Sequence, residues 1–445
     1  MASLTYKQLL LNNRSFRRLW SGQVVSELGN WFNFIAALGL VRSVTSAAPF
    51  ATAIILVCRL APFSLFAPFA GAFVDRWSRR RVMIAADILR AFIALGFLLV
   101  VSPSDLWIAY LCTALLSLLT SFFEAAKNAS MPNITGDEGL LAGNALMFSS
   151  RFLLMTVGSA LGGATSASFG YRVAFFVNAV SFLVSAWSIW LIPEKDVQSL
   201  ESERPRGREL RSGGVIRRYC RDIGEGWAFI RKSRVVAALI TVNILWAMGG
   251  GAIYLVFDRF GGVLFASSSG YTPDGGVALL YSAGGFGLFA GMMLSRRVGS
   301  HVEMNDLTVH FIGWMMIIHG ALFALCGLAP GLLFAALFIL VSRAVIGVEF
   351  GVQDTLLMRS IPDHLRGRVA ITDRAAELLV MSLSAGVAGW ALKFVSIRTL
   401  AVLSGVLSGL PGVVWLSLNR SSRLQKNITR TSGKTGDDEF AADSP

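Results

Sequence analysis

Stretches of about 20 residues in which no helical face is polar recur along this chain, the length an α-helix needs to cross the roughly 30 Å hydrocarbon core of a bilayer. Residues 322–341, for example, contain no charged side chain. The pattern predicts twelve spans, at 18–41, 51–74, 82–101, 105–127, 144–166, 172–192, 235–258, 275–295, 307–328, 331–353, 369–393 and 397–418. A transmembrane β-barrel is excluded, because barrel strands alternate apolar and polar positions and these runs do not. The fold class is therefore an all-α polytopic membrane protein.

The polar interruptions organise the spans. Residues 193–234 carry 11 basic and 7 acidic residues with Pro193 and Pro205, a linker composition with an amphipathic helix expected near 215–232. This segment separates a six-helix half at 1–192 from a second at 235–420, and the polar tail at 421–445 reads as disordered. An internal repeat agrees: Ala70-Gly71-Ala72-Phe73-Val74-Asp75-Arg76 after the second span matches Ala290-Gly291-Met292-Met293-Leu294-Ser295-Arg296 after the eighth, 220 residues on. Met131-Pro132-Asn133 likewise echoes Ile361-Pro362-Asp363. Parallel halves of this kind build transporters whose substrate path follows the interface between them.

Composition sharpens the class. With 54% hydrophobic and 15% charged residues and a mean hydropathy of +0.61, the chain is not a soluble globular protein. Its net charge of +13 would suggest nucleic acid in a soluble protein. Here it follows orientation: with the N-terminus in the cytoplasm, 30 Lys and Arg fall on the cytoplasmic side and 5 opposite. No nucleic-acid partner is expected, both termini are placed in the cytoplasm, and the first apolar span is a retained helix rather than a cleaved signal. Cys58, Cys112, Cys220 and Cys326 have no metal or disulfide spacing, and His310 and His319, nine apart, sit on opposite sides of one helix. No metal, cofactor or catalytic chemistry is expected.

At Gly71-Ala-Phe-Val-Asp75-Arg76-Trp-Ser-Arg79-Arg80-Arg81 the chain resembles the loop 2–3 motif of the major facilitator superfamily, Gly-x-x-x-Asp-Arg-x-x-Arg-Arg. Three further segments resemble the drug and siderophore exporter branch, which contains enterobactin exporters and macrolide efflux proteins. They are Asn13-Arg14-Ser15-Phe16-Arg17-Arg18-Leu19-Trp20, Gly143-Asn144-Ala145-Leu146, and Ile361-Pro362 with Arg366-Gly367-Arg368-Val369. The resemblance implies two pseudo-symmetric six-helix halves in a bacterial cytoplasmic membrane. It also implies a conformational latch at Gly71, Asp75, Arg76 and Arg80 that closes the cytoplasmic side. Gly71 would permit close helix approach and Asp75 would cap a helix or pair across the half interface. Gly158, Gly162 and Gly163 resemble the end of the antiporter motif of proton-coupled exporters, with Ser159 in place of its proline and Leu154 in place of an earlier glycine. They read equally as a small-residue packing face, like Gly287-x3-Gly291 and Gly347-x3-Gly351.

Ionisable residues inside spans cost about 2.5–3.5 kcal/mol each on insertion scales and mark cavities, partners or proton paths. The coupling and substrate candidates are Glu27, Arg59, Glu124, Lys127, Arg151, Arg343, Glu349 and Glu377. Glu27, ten residues into the first span, is the first choice for a proton-titrating or cation-binding site. Arg151 is expected to face an anionic substrate or pair with Glu27 or Glu124. Glu124 and Lys127 form a local pair, or Lys127 stands where lysophospholipid flippases of the superfamily carry Pro-Ala-Lys. Arg343 and Glu349, six apart, should have different partners. Trp31, Phe32, Phe34, Trp246, Tyr254 and Phe257 are candidate aromatic walls.

These features point to a secondary-active exporter of a small, partly lipophilic molecule, a siderophore or drug-like compound, working by alternating access. No Gly-x4-Gly-Lys-Ser/Thr loop is present, so an ion gradient, with the proton as coupling ion, supplies the energy. The alternatives are a lysophospholipid flippase, and a transport-inactive receptor or scaffold of the same fold.

Overall fold

The computed structural model describes residues 5–74, 76–197, 224 and 226–418. Among these residues, twelve long helical segments follow one another: α1 Arg14–Val44, α2 Pro49–Val74, α3 Arg79–Gly96, α4 106–135, α5 137–169 and α6 Tyr171–Trp190, then α7 Arg234–Arg259, α8 Pro273–Met304, α9 Thr308–Cys326, α10 Leu332–Arg359, α11 Asp363–Ala391 and α12 Ile397–Leu418. No strand occurs among the described residues. We call the end of the bundle carrying Arg14, Arg76 and Arg79 the basic face and the opposite end the far face.

By length and hydropathy, ten helices among the described residues can cross a membrane, two fewer than the pattern predicts. Two particulars account for the difference. α4 and α5 are merged into one helix, Leu106–Phe169, because the expected loop at 128–143 is itself helical; only Gly136, at φ 65°, breaks it. A left-handed residue costs glycine nothing, so the chain turns there without a loop. α11 falls short because it carries Arg366, Arg368, Asp373, Arg374 and Glu377 along a helix that otherwise spans the bundle. The expected linker helix near 215–232 lies mostly outside the described residues, apart from a helical turn at 226–232, and the tail lies wholly outside them.

Helix starts follow ordinary capping chemistry: the side chains of Asn13, Ser78, Ser233 and Thr272 accept from the backbone N–H groups of Phe16, Arg81, Val236 and Gly275. Large apolar side chains such as Phe92, Trp187, Leu333 and Val387 point outward, as lipid-facing surfaces require. The buried faces are lined by small residues. A Cβ on Gly291 would run into the Ala344 carbonyl, one on Gly347 would sit 2.7 Å from the Leu288 carbonyl oxygen, and one on Gly162 2.9 Å from the Phe32 Cα. Backbones therefore touch where side chains would hold them apart, the mode by which helices associate in lipid.

α1 packs on α5 and α6, α3 on α4 and α6, and α2 on α4; in the second set α7 packs on α11 and α12, α8 on α10, and α9 on α10 and α12. The two most extensive cross-pairs between the sets are α5 with α8 and α2 with α11, with smaller contacts of α1 with α8 and α2 with α7. Ser282 donates to the Thr156 carbonyl at 2.9 Å in the first pair, and Ser64 to the Ala375 carbonyl at 2.5 Å in the second.

Candidate functional site

At the far face, the last turn of α1 presents Arg42 to the opposite half. Its guanidinium pairs with Asp258 at the end of α7 and Asp274 at the start of α8. Arg259 completes the cluster: it donates to Asp258 at 2.8 Å, to the Ala47 carbonyl at 2.6 Å and to the Thr52 hydroxyl at 2.7 Å. All four charged residues are buried. Two glycines admit them, since a Cβ on Gly262 would meet the Arg42 Nε at 2.8 Å and one on Gly39 would strike the Asp274 carboxylate. Arg42 and Arg259 are two of the five cations that the sequence pattern assigns to the side opposite the cytoplasm; the structure buries both at that end of the bundle, where they clamp the halves together. Removing one member of such a buried network leaves an uncompensated charge, at a cost of about 3–5 kcal/mol.

Beneath the clamp lies a ladder of aromatic rings. Trp31 and Phe34 of α1 meet Tyr281 of α8 at centroid distances of 6.1 and 5.3 Å, and Tyr281 meets Tyr254 and Phe257 of α7 at 6.0 and 5.1 Å. The Tyr281 hydroxyl donates to the Tyr254 carbonyl at 2.9 Å, so the polar atom of this buried ring is satisfied. Arginines close both ends. The Arg59 guanidinium lies over Phe34 at 4.1 Å and Trp31 at 5.3 Å, and that of Arg343 over Tyr254 and Phe257 at 5.6 Å each. Arg59 is carried on a disturbed turn of α2. Pro62 removes a helical donor there, and the Ser117 hydroxyl of α4 inserts itself, donating to the Arg59 carbonyl at 2.7 Å and accepting from the Phe63 N–H at 3.2 Å.

The remaining sequence candidates separate by location. Glu27, half-buried, accepts from Asn30 at 3.3 Å and lies within electrostatic range of Arg59. Arg151, exposed on α5, is in electrostatic range of Arg59 and of Glu124. Glu124 pairs with Lys127 at 2.5 Å, and Glu377 with Arg374 at 2.8 Å. Arg343 and Glu349 do have separate surroundings: both Glu349 carboxylate oxygens are buried and lack a hydrogen-bond partner among the described residues. His319 is buried against Ser342 while His310 is exposed, so they form no metal pair, and no cluster of His, Cys, Asp or Glu suited to a metal occurs among the described residues.

Within the expected latch, Asp75 lies outside the described residues. A Cβ on Gly71 would meet nothing within 4 Å, so this glycine permits no close approach here, contrary to the expectation. Arg76 is exposed, and Arg80 donates to the Ile189 and Trp190 carbonyls, capping the end of α6 inside its own half. Gly158 and Gly162 face Trp31 and Phe32 of α1, and Gly163 faces Ala278 of α8. Of the six aromatic candidates, Trp31, Phe34, Tyr254 and Phe257 join the ladder. Phe32 instead packs near Gly162, and Trp246 sits on His319 and Phe350.

Sequence reading misses Tyr281, the central rung, although Asp274, Ala278 and Tyr281 recur at helical spacing on the α8 stripe facing α1 and α5. It also misses the buried Asp87–Arg90 pair of α3, whose guanidinium lies over Phe123 and Phe182 at 4.4 and 4.5 Å.

A bundle of spanning helices whose halves meet over a charged and aromatic interior, sealed at one face, defines a multi-pass membrane transporter. The chain belongs to the Major Facilitator Superfamily, whose profile matches residues 19–372. It is 23% identical over 435 residues to the MFS-type transporter YfiS of Bacillus subtilis (strain 168), covering 96% of this chain and 99% of that one. It is 22% identical over 362 residues to macrolide efflux protein A of Streptococcus pyogenes, covering 80% and 83%. Among solved structures, a bacterial homologue of the iron transporter ferroportin in an inward-facing state superposes with a TM-score of 0.64 at 15% identity, covering 90% of this chain and 98% of that one. That likeness concerns the fold.

Proposed function

We propose that this transporter is a secondary-active exporter of a small, partly lipophilic molecule, a siderophore or drug-like compound, with the proton as coupling ion and the basic face in the cytoplasm. The observation that carries the reading is the placement of unpaired interior charge and an aromatic ladder directly beneath a sealed, polar far-face clamp. Alternation then has a physical form. The clamp must break for the far face to open, and the two cross-pairs, α5 with α8 and α2 with α11, are the surfaces on which the halves rock. The efflux role named for the Streptococcus relative supports the outward direction, and the excess of Lys and Arg supports the orientation. In the other conformation, Asp75, Arg76 and Arg80 close the basic face. Glu27, beside Arg59, carries the proton.

The test compares the extracellular small-molecule profile of a deletion strain with that of its complemented parent, grown with and without iron. Loss of a compound from the medium, with build-up inside the cells, is the expected result, and iron dependence of that loss would mark a siderophore. An unchanged profile contradicts export of an endogenous compound such as a siderophore and shifts weight to xenobiotic efflux or lipid flipping, which drug accumulation and lysophospholipid uptake then separate.

A further inference from the structure

The interior cations of this protein fall into two kinds. Arg42, Arg259, Arg90, Lys127 and Arg374 each have a carboxylate within ion-pair distance. Arg59 and Arg343 have none among the described residues. Both lie on aromatic rings of the same ladder, one from each half. A guanidinium resting on a ring uses its π face, and the N–H fork in its plane stays free for a planar oxyanion. Arg343 is 2% exposed, and its Nε and Nη2 have no acceptor among the described residues. Arginine stays protonated in proteins, so this is a buried positive charge with open donors, a state retained inside a membrane protein where something charged must visit. Arg59 lies in electrostatic range of both Glu27 and Arg151, so the one nearby carboxylate faces two guanidinium groups there.

Resting on the exporter reading above, we infer that the transported molecule is an amphiphilic anion. A carboxylate or comparable oxyanion docks on the fork of Arg343, or of Arg59, and an apolar body lies along the rings of Trp31, Tyr281 and Tyr254. The two arginines close opposite ends of the ladder and belong to different halves. One anion can therefore be passed between them as the halves rock, without ever leaving a cationic partner.

The experiment fractionates, on anion-exchange resin at neutral pH, the compounds that disappear from the medium of the deletion strain, and repeats the measurement in strains carrying Arg343→Gln, Arg343→Lys and Arg59→Gln. The expected cargo is retained by the resin. Its export falls on the order of 10-fold or more in Arg343→Gln at unchanged membrane level, and less in Arg343→Lys, which keeps the charge but not the fork. Efflux of the cargo's methyl ester is unaffected by Arg343→Gln, an outcome that a merely structural role for the arginine would not give. A cargo that is neutral or cationic at pH 7, or an anionic cargo exported equally well by Arg343→Gln and Arg59→Gln, overturns the inference and leaves the exporter reading intact. If Arg343→Gln fails to reach the membrane, the charge of the cargo and the Arg59→Gln strain still decide. A profile unchanged by deletion removes export of an endogenous compound, and the same strains are then compared for efflux of added anionic and cationic drugs, where preference for the cations overturns the inference.

Discussion

At the scale of single residues, charge placement is the dominant energetic fact. Arg42 holds Asp258 and Asp274 across the half interface, and Arg259 holds Asp258 to the turn and helix start at Ala47 and Thr52. In Arg42→Gln two carboxylates are left with one cation, so the state closed at the far face should lose about 3–5 kcal/mol relative to the open one. A cysteine placed at Ala278, buried beneath the clamp in the wild type, should then react with a membrane-impermeant maleimide many times faster. An unchanged rate would mean that the seal does not depend on this network. Glu27→Gln should abolish the pH dependence of transport while protein insertion stays normal, checked by flux in vesicles at several external pH values. A pH-dependent flux of normal rate in that variant would remove Glu27 from coupling.

At the scale of elements, helix contacts are set by which glycines meet a neighbouring backbone. Gly291 faces the Ala344 carbonyl across the α8–α10 contact, whereas Gly71 faces open space. Gly291→Leu should therefore destabilise the protein by about 1–3 kcal/mol or more through overpacking, and Gly71→Ala should leave thermal stability in detergent unchanged or slightly raised. Equal melting temperatures for the two variants would contradict the packing described here. Most spans are legible in the sequence because their long apolar stretches outweigh the few ionisable residues inside them, and α11, with Asp373, Arg374 and Glu377, is the weakest of them. The α4–α5 junction is not legible, since the polar composition of residues 128–143 reads as a loop while its backbone closes its own hydrogen bonds as helix. The ladder is legible in part: Trp31 and Phe34 stand three apart on α1, and Tyr254 and Phe257 three apart on α7, but their convergence on Tyr281 is tertiary information. The clamp is invisible for a related reason. Arg42, Asp258, Arg259 and Asp274 sit at span ends, where composition alone reads them as water-facing, and only the folded packing shows that these ends meet.

At the scale of the whole molecule, the proposed mechanism makes the far-face clamp and the expected basic-face latch alternatives, each intact in the conformation that breaks the other. Asp75→Asn should therefore abolish transport while insertion remains normal, because the state closed at the basic face loses its charge. Full flux in that variant would show that the motif serves only orientation. The central claim is that two six-helix halves exchange closure between the faces, and it is tested most directly by paired distance measurements. Spin labels at Ser104 and Ser396 report on the far face and labels at Asn128 and Ser300 on the basic face, all four positions being exposed. In a background without native cysteines, Arg42→Gln should lengthen the far-face distance and shorten the basic-face distance together. A far-face distance that stays fixed, or that lengthens with no change at the basic face, would contradict alternating access through this clamp.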